Sequence, residues 1–467
     1  MEPAALPPIP AFEVAPRHNV FLGWNHLDGY RRCWSAAEDS VGLVGPPRYG
    51  KTSGLIIPSV LWWDGPVVST STRADVLTFT AEHRRRLAAP YGGEVLVYDP
   101  FRSAGPVDGS AGYRLVRWSP LAGCSDPAVC YRRVAAMTAV AGQGITEGEH
   151  WRAGAAGILR GYFHAAAIAD RPLREVRRWL ARQDSREPIG ILRTSGSAAA
   201  MWADDLEAVQ LLGERERGSF YSVARNALEA TAEPAVLASC ERTDLSIDAF
   251  LAGRSALYLV GPSHHQQVVA PLMAGLVDSI VQRAAELAAA GSGRLEPPLL
   301  LALDEVANIA PLHSLPTLVS EGGGRGVVTL WAAQSLAQMR ARYGTEQQAA
   351  ILAATTAKVI FGGLSHGRDL ADISAWAGER RETSVTRTVL PGGVQSEGLG
   401  VAVSEGRSGQ GTTVSSIYRP ALPVHRIQMT PPGYAWLFYR SDPPRQVEAR
   451  PAGLIPEFAR LRGGGGG

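Results

Sequence analysis

The octapeptide Gly45-Pro46-Pro47-Arg48-Tyr49-Gly50-Lys51-Thr52 constrains this chain more than any other stretch. It fits G-x-x-x-x-G-K-[ST] without a mismatch and stands between an apolar run, SVGLVG, and the start of a helix, KTSGLIIPSVLWW. Glycines let such a turn curl until successive N–H groups point at phosphate oxygens, and the helix behind it adds its positive end. Gly45, Pro46, Pro47, Arg48, Tyr49, Gly50, Lys51, Thr52 and Ser53 are therefore the expected cradle for ATP. Lys51 is expected to bridge the β- and γ-phosphates and Thr52 to ligate Mg²⁺. Of 46 basic residues only Lys51 and Lys358 are lysines. Arginine serves this chain as its ordinary surface cation, so a lysine at the end of the loop points to a specific task.

The surrounding pattern repeats the strand–loop–helix unit. GPVVST (65–70) reads as a strand, 73–87 as a helix and EVLVYDP (94–100) as a strand; ALYLVGP (256–262), LLLALDE (299–305), VVTLWAAQS (327–335) and AKVIFGG (357–363) continue the series. Such alternation implies an α/β fold with a mainly parallel sheet. Between 126 and 250 the text turns to Ala- and Arg-rich helical segments such as HWRAGAAGILRGYFHAAAIA, read as an all-helical inserted domain. The expected organisation is a flexible leader over 1–20, a P-loop domain split into 21–125 and 251–440, the insertion over 126–250, and a C-terminal tail over 441–467. Residues 386–413 read as a long hairpin or loop, and GYAWLFYR as a last strand.

Pro298–Leu303 is an unbroken apolar run ending in Asp304-Glu305, as for a strand buried on both faces. Carboxylates at its carboxyl end would sit in the crevice beside the phosphate loop. Asp304 is the expected Mg²⁺-organising carboxylate and Glu305 the base that orients the attacking water. Gln334, at the end of VVTLWAA, is expected to sense the γ-phosphate. Arg325 in GGGRGV is either a solvated loop arginine or a finger offered to a neighbouring subunit's nucleotide.

Composition narrows the rest. With 467 residues, 45% hydrophobic and 19% charged, the chain is long enough for about three domains, or two with one split. A formal charge of +2 excludes a nonspecific nucleic-acid coat, so any DNA contact must be local. Arg174, Arg178 and Arg182 share one helix face: a solvated face or, repeated round a ring, a collar that attracts phosphates. No run of 18 uncharged apolar residues exists, and the opening MEPAALPPIPAFEVAP has no basic stretch followed by an apolar core, so the expected location is the cytoplasm. Cys33, Cys124, Cys130 and Cys240 read as reduced thiols, and no metal is assigned to His264 and His265.

The strings GPPRYGKTSGLIIPSVL, VVSTSTRADVLTFTAEHRR, WSPL and LLLALDEVANIAPLHSLPTLVSEGGGRGVVTLWAAQSLAQMRARYG resemble the coupling proteins of conjugative type IV secretion, TraG/TraD type, within the FtsK/HerA class of ring ATPases. The resemblance covers most of residues 40–440. It implies a RecA-like α/β domain, a helical domain inserted after the W-x-P-L turn, and six subunits around a channel. It further implies ATP-driven pumping of single-stranded DNA, delivered as a relaxase–DNA complex, toward the secretion channel. The alternatives are a nucleotide-dependent soluble receptor of a secretion system and a DNA pump for chromosome segregation or packaging. Members of the family commonly begin with transmembrane helices, so a chain without them is expected to be either a soluble variant that reaches the inner face of the membrane through a separate partner or a divergent relative with a different task. The family's frequent lysine in S-T-K is Arg73 here, and Gly323 stands where many relatives carry a further arginine, leaving Arg325 as the candidate finger.

Overall fold

A computed structural model of the chain describes residues 15–25, 27–103, 112–141, 148–196, 199, 201–262, 264–389 and 410–458. In chain order the strands are β1 (Phe21–Asn25), β2 (Arg31–Trp34), β3 (Val41–Val44), β4 (Val67–Ser71), β5 (Val95–Tyr98), β6 (Arg114–Leu115), β7 (Ala256–Val260), β8 (Leu299–Leu303), β9 (Val327–Ala333), β10 (Ala357–Phe361), β11 (Glu379–Val389), β12 (Gln410–Pro420), β13 (Tyr434–Tyr439) and β14 (Arg445–Glu448). Twelve of them form one sheet in the order β2-β1-β14-β13-β10-β3-β9-β8-β4-β7-β5-β6. From β10 to β6 every pairing is parallel; from β10 outward through β13, β14, β1 and β2 every pairing is antiparallel. The parallel strands β3, β4, β5, β7, β8 and β9 are buried along their whole length, as expected where helices cover both faces. Each fully buried Leu or Val contributes about 1.5–3 kcal/mol, so five consecutive buried residues in Leu299–Leu303 anchor the sheet's centre.

Helix α1 (Ile57–Trp62) follows the β3 loop through a π-turn at Lys51–Ile56, and α2 (Asp75–Ala88) follows β4. Between β6 and β7 the described residues form helices and no strands: α3 (Pro127–Ala141), α4 (Gly148–Ile168), α5 (Leu173–Arg182), α6 (Arg186–Thr194), α7 (Met201–Leu211), α8 (Glu214–Asn226), α9 (Pro234–Cys240) and α10 (Ile247–Ala252). In α5 the apolar positions Leu173, Val176, Trp179 and Leu180 recur at helical spacing and are all buried. This segment is rooted on α11 (Gln266–Ala290), where Gly275 leaves room for Met137 of α3 and for Trp118: an added Cβ would stand 3.0 Å from the Met137 Cγ.

Two expected boundaries are corrected. Residues 441–458 are not a tail. β14 joins the sheet between β13 and β1, Val447, Ala449, Ala452, Ile455 and Phe458 enter the core, and Phe458 packs on Trp62 at 4.6 Å between ring centroids. Arg32, on β2, binds Glu457 at 2.7 Å and lies over the Trp24 and Trp62 rings. The leader also ends before residue 20: His18 contacts the Trp63 ring and the Asp64 carbonyl, and Val20 is fully buried. Residues 1–14 and 459–467 lie outside the described residues.

By its contacts the chain divides into two compact units, residues 1–363 with 430–467, and Leu364–Met429. The helical segment falls in the first. The second contains a helix at Gly367–Trp376 and the ribbon of β11 and β12, paired antiparallel from Glu379↔Pro420 to Val389↔Gln410. Residues 390–409 of the expected hairpin lie outside the described residues.

Candidate active site

The loop after β3 needs glycine where its backbone is crowded or inverted. An added Cβ on Gly45 would stand 2.5 Å from the Phe361 Cβ of neighbouring β10. Gly50 has φ 108° and Arg48 φ 69°, so two left-handed residues make the curl that turns the amides inward. Behind the loop, an added Cβ on Gly54 would stand 2.3 Å from the Ala449 carbonyl oxygen; the segment after β14 therefore braces the start of the loop's helix. Lys51 reaches back over the loop, donating to the carbonyls of Gly45 (2.5 Å) and Pro46 (2.9 Å). Its burial lowers the ammonium pKa, an effect opposed by the charges of Asp304 and Glu305.

The acidic end of β8 arrives where the loop needs it. Thr52 Oγ1 donates to Asp304 Oδ2 at 2.7 Å, and the Glu305 N–H donates to Asp304 Oδ1 at 3.1 Å. Thr70 at the end of β4 holds the Asp304 carbonyl at 2.9 Å. Burial pushes the Asp304 carboxyl up to about 6, with the Glu305 charge adding to the rise and the Thr52 bond and Lys51 charge opposing it. A hydroxyl and one buried carboxylate, side by side and open to a cleft, suit Mg²⁺, which takes one or two carboxylates and fills its remaining positions with water and phosphate. Among the described residues no three His, Cys, Asp or Glu side chains gather for an all-protein metal cage.

Glu305 adopts φ 54°, a left-handed conformation that costs a non-glycine residue about 1–3 kcal/mol. The turn is pinned: its carbonyl accepts from the N–H groups of Asn308 (2.9 Å) and Ile309 (3.1 Å), and Val306 N–H bonds the Ala332 carbonyl. Its carboxylate is held by Gln334 Nε2, at 2.9 Å to Oε1 and 3.1 Å to Oε2, and by Asn308 Nδ2 at 3.3 Å to Oε2. Gln334 is thus brought onto the glutamate itself. These groups line one cleft of about 490 Å³ with Pro47, Arg48, Gly50, Lys51, Thr52 and Ser53.

The loop and the carboxylates, read separately in the sequence, meet here. A scan along families matches residues 21–388 to the type IV secretory system conjugative DNA transfer family. The chain belongs to this family. Among curated relatives it is 25% identical over 362 residues to the conjugal transfer protein TraG of Escherichia coli, covering 70% of this chain and 53% of TraG, so it spans about half the length of that relative. Among solved structures it resembles the plasmid coupling protein TrwB in complex with an ATP analogue (TM-score 0.62, 16% identity, 89% of this chain and 86% of that one). It likewise resembles TrwB in complex with ADP and Mg²⁺ (TM-score 0.63, 18% identity, 89% and 85%). These likenesses establish the fold, a RecA-like P-loop α/β domain.

Not every expected residue of this family member lines the cleft. Gly45 and Pro46 contribute carbonyls to Lys51, while the Tyr49 ring occupies the space beside Gly363, where an added Cβ would fall 2.2 Å from its hydroxyl. Arg325 stands outside the cleft on the surface, paired with Glu321 at 2.7 Å. On α5, Arg174 pairs with Glu241, and Arg178 with Glu175 and Glu187, so two of the three arginines of the proposed collar are neutralised. Conversely, the cleft includes Ser71, Thr72, Arg73, Asp75, Gln266 and Asn308, which the sequence reading did not select. Their signal was available in part: STSTRAD runs out of the carboxyl end of β4, a buried strand adjacent to β8, and ligands of open parallel sheets gather at the carboxyl ends of strands.

Proposed function

We propose that the chain is the motor of a conjugative DNA transfer system: it binds ATP with Mg²⁺ in the cleft, hydrolyses it, and uses the cycle to move single-stranded DNA, arriving as a relaxase–DNA complex, toward a type IV secretion channel. The observation that carries this reading is the contact of Thr52 with Asp304 beside a clamped Glu305. Lys51, swung from the loop carbonyls, would neutralise β- and γ-phosphate oxygens; Thr52 and Asp304 would hold the ion, which supplies charge neutralisation to the phosphates. Glu305 accepts a hydrogen bond from the attacking water, and Gln334, bonded to the same carboxylate, reports the loss of the γ-phosphate to β9. The ATP-analogue and ADP–Mg²⁺ complexes of TrwB support the ligand assignment.

Six copies in a ring, Arg325 reaching a neighbour's nucleotide, the helical segment 126–250 acting as an inserted domain, and a place at the cytoplasmic face of the membrane secured by a partner belong to the same proposal. Hydrolysis and particle mass measured together test it. ATP turnover should rise with single-stranded DNA and with assembly, and Lys51→Ala should abolish turnover. Turnover indifferent to DNA would replace the motor with a nucleotide-dependent receptor, which the intact Asp304–Glu305 pair argues against.

A further inference from the structure

The cleft is lined by three carboxylates, Asp75, Asp304 and Glu305, and three cations, Arg48, Lys51 and Arg73. Two of the cations come from the phosphate loop. The third does not: Arg73 lies two residues beyond the end of β4, and β4 neighbours β8 on the side away from β3. Across the order β3-β9-β8-β4, Lys51 therefore approaches from one side of Asp304, Glu305 and Gln334, and Arg73 from the other. With strands about 4.8 Å apart, the two strand ends stand roughly 14 Å from each other, room for a phosphate chain between them.

The Arg73 side chain is also unengaged. This chain ties up its surface arginines readily, as with Arg85 and Arg86 on Glu82, Arg114 on Glu94 and Arg325 on Glu321. Among the described residues the Arg73 side chain has no hydrogen bond, ion pair or ring contact, although Asp75 lines the same cleft. Its backbone, by contrast, is fixed: the Arg73 N–H donates to Ser71 Oγ, and the strand end before it is bonded through Thr70 to the Asp304 carbonyl. A fixed main chain carrying an exposed, unpaired guanidinium into a cleft suited to phosphates is a planar donor waiting for an anion.

We propose that Arg73 binds the γ-phosphate from within the same chain and stabilises the charge that develops there during hydrolysis, opposite Lys51. This inference rests on the ATPase reading given above. It makes the cleft's positive charge complete in one subunit, with Arg325 supplying at most an addition from a neighbour.

The test compares the full chain with Arg73→Ala, Arg73→Lys and Arg325→Ala, measuring steady-state ATP hydrolysis with Mg²⁺ and equilibrium binding of Mg·ADP. Since the Arg73 side chain makes no polar contact among the described residues and Arg325 has only an exposed pair with Glu321, all variants should melt close to the unmodified protein. Arg73→Ala should lower kcat about 100-fold, the range for losing one preorganised donor to a developing charge. Mg·ADP affinity, which involves no γ-phosphate, should change less than threefold. Arg73→Lys should recover a measurable part of kcat, which a merely structural role would not predict. A kcat for Arg73→Ala within threefold of the unmodified protein, or a loss of ADP binding that matches the loss in rate, overturns the proposal. If the unmodified chain hydrolyses no ATP, the ATPase reading falls and this inference with it; if it hydrolyses and Arg73→Ala matches it, only the inference falls.

Discussion

The two halves of the large sheet solve different problems. The parallel half brings four carboxyl ends together: the loop after β3, Gln334 after β9, Asp304-Glu305 after β8, and Arg73 after β4. Thr52 with Asp304 and Gln334 with Glu305 are positioned by hydrogen bonds to one another, and Lys51, Asp304 and Glu305 hold desolvated or strained states. The antiparallel half, β13, β14, β1 and β2, places no side chain in the cleft. It braces the loop from behind, through Ala449 against Gly54 and through the Gly433 N–H on the Tyr49 carbonyl, and it buries the aromatic cluster of Phe21, Trp34, Trp62 and Phe458. The contrast is between residues that line the cleft, some of them at a cost to stability, and residues that supply stability and shape.

Substitutions can break that division if it is wrong. The largest effect is expected in the parallel half: Glu305→Gln should reduce turnover by about three orders of magnitude while ATP still binds and the melting temperature holds, because Gln334 and Asn308 can still meet one amide oxygen. Normal turnover would remove Glu305 from its role. Next comes the antiparallel half, where Phe458→Ala should cost about 3–5 kcal/mol of folding free energy, read as a lower denaturant midpoint. In protein that remains folded its kcat should be unchanged. Gly54→Ala should cost about 1–3 kcal/mol by pressing a methyl on the Ala449 carbonyl, and it alone should affect both properties, since it lies where brace and loop touch. If Gly54→Ala alters neither, the brace is not one.

The sequence was most readable where burial is total. β3, β7 and β8 are apolar without interruption, β4 and β9 are buried throughout with only small hydroxyl residues among their apolar ones, and the phosphate loop and acid pair stand at strand ends where such groups must stand. Of the antiparallel edge only β13 was readable, as the apolar run GYAWLFYR; β2 and β14 are short and carry charge, and β1 is short and follows a Pro-rich opening. Arg445-Gln446-Val447-Glu448 looks like a polar tail, yet Glu448 and Arg450 are nearly fully buried as a pair at 2.8 Å, with Arg450 over the Trp24 and Tyr30 rings. Pairing hides from sequence what burial makes costly to leave alone. Asn308 and Arg73 escaped for another reason: each acts at a place set by tertiary packing, outside the loop and the acid pair. The paired arginines of α5 show the reverse error, in which a face that spacing makes uniformly positive is neutralised by acids from α5 itself and from other segments.

The test most diagnostic of the contrast concerns Asp304. Its carboxyl titrates at about 6 in the fold against an ordinary 3.8, so between these values the folded chain holds a proton that the unfolded chain has released. Stability of the metal-free protein should therefore fall as pH rises from about 4 to about 6, by about 1.4 kcal/mol per unit for this group, and stay level with respect to it above. Paired carboxylates behave in the opposite way. Asp304→Asn removes the cost of the buried charge and should stabilise the metal-free protein at pH 7.5 by up to about 3 kcal/mol, while Mg²⁺-dependent nucleotide binding is lost. In the unmodified protein the same proton competes with Mg²⁺, so apparent metal affinity should be flat above pH 6 and drop about tenfold per unit below it. Melting temperature and Mg²⁺ titrations over pH 5–8 read both arms. An Asp304→Asn variant less stable than its parent at pH 7.5 would mean that the carboxylate holds the loop together rather than waiting at a cost for a cation, and the division between the two halves of the sheet would lose its clearest case.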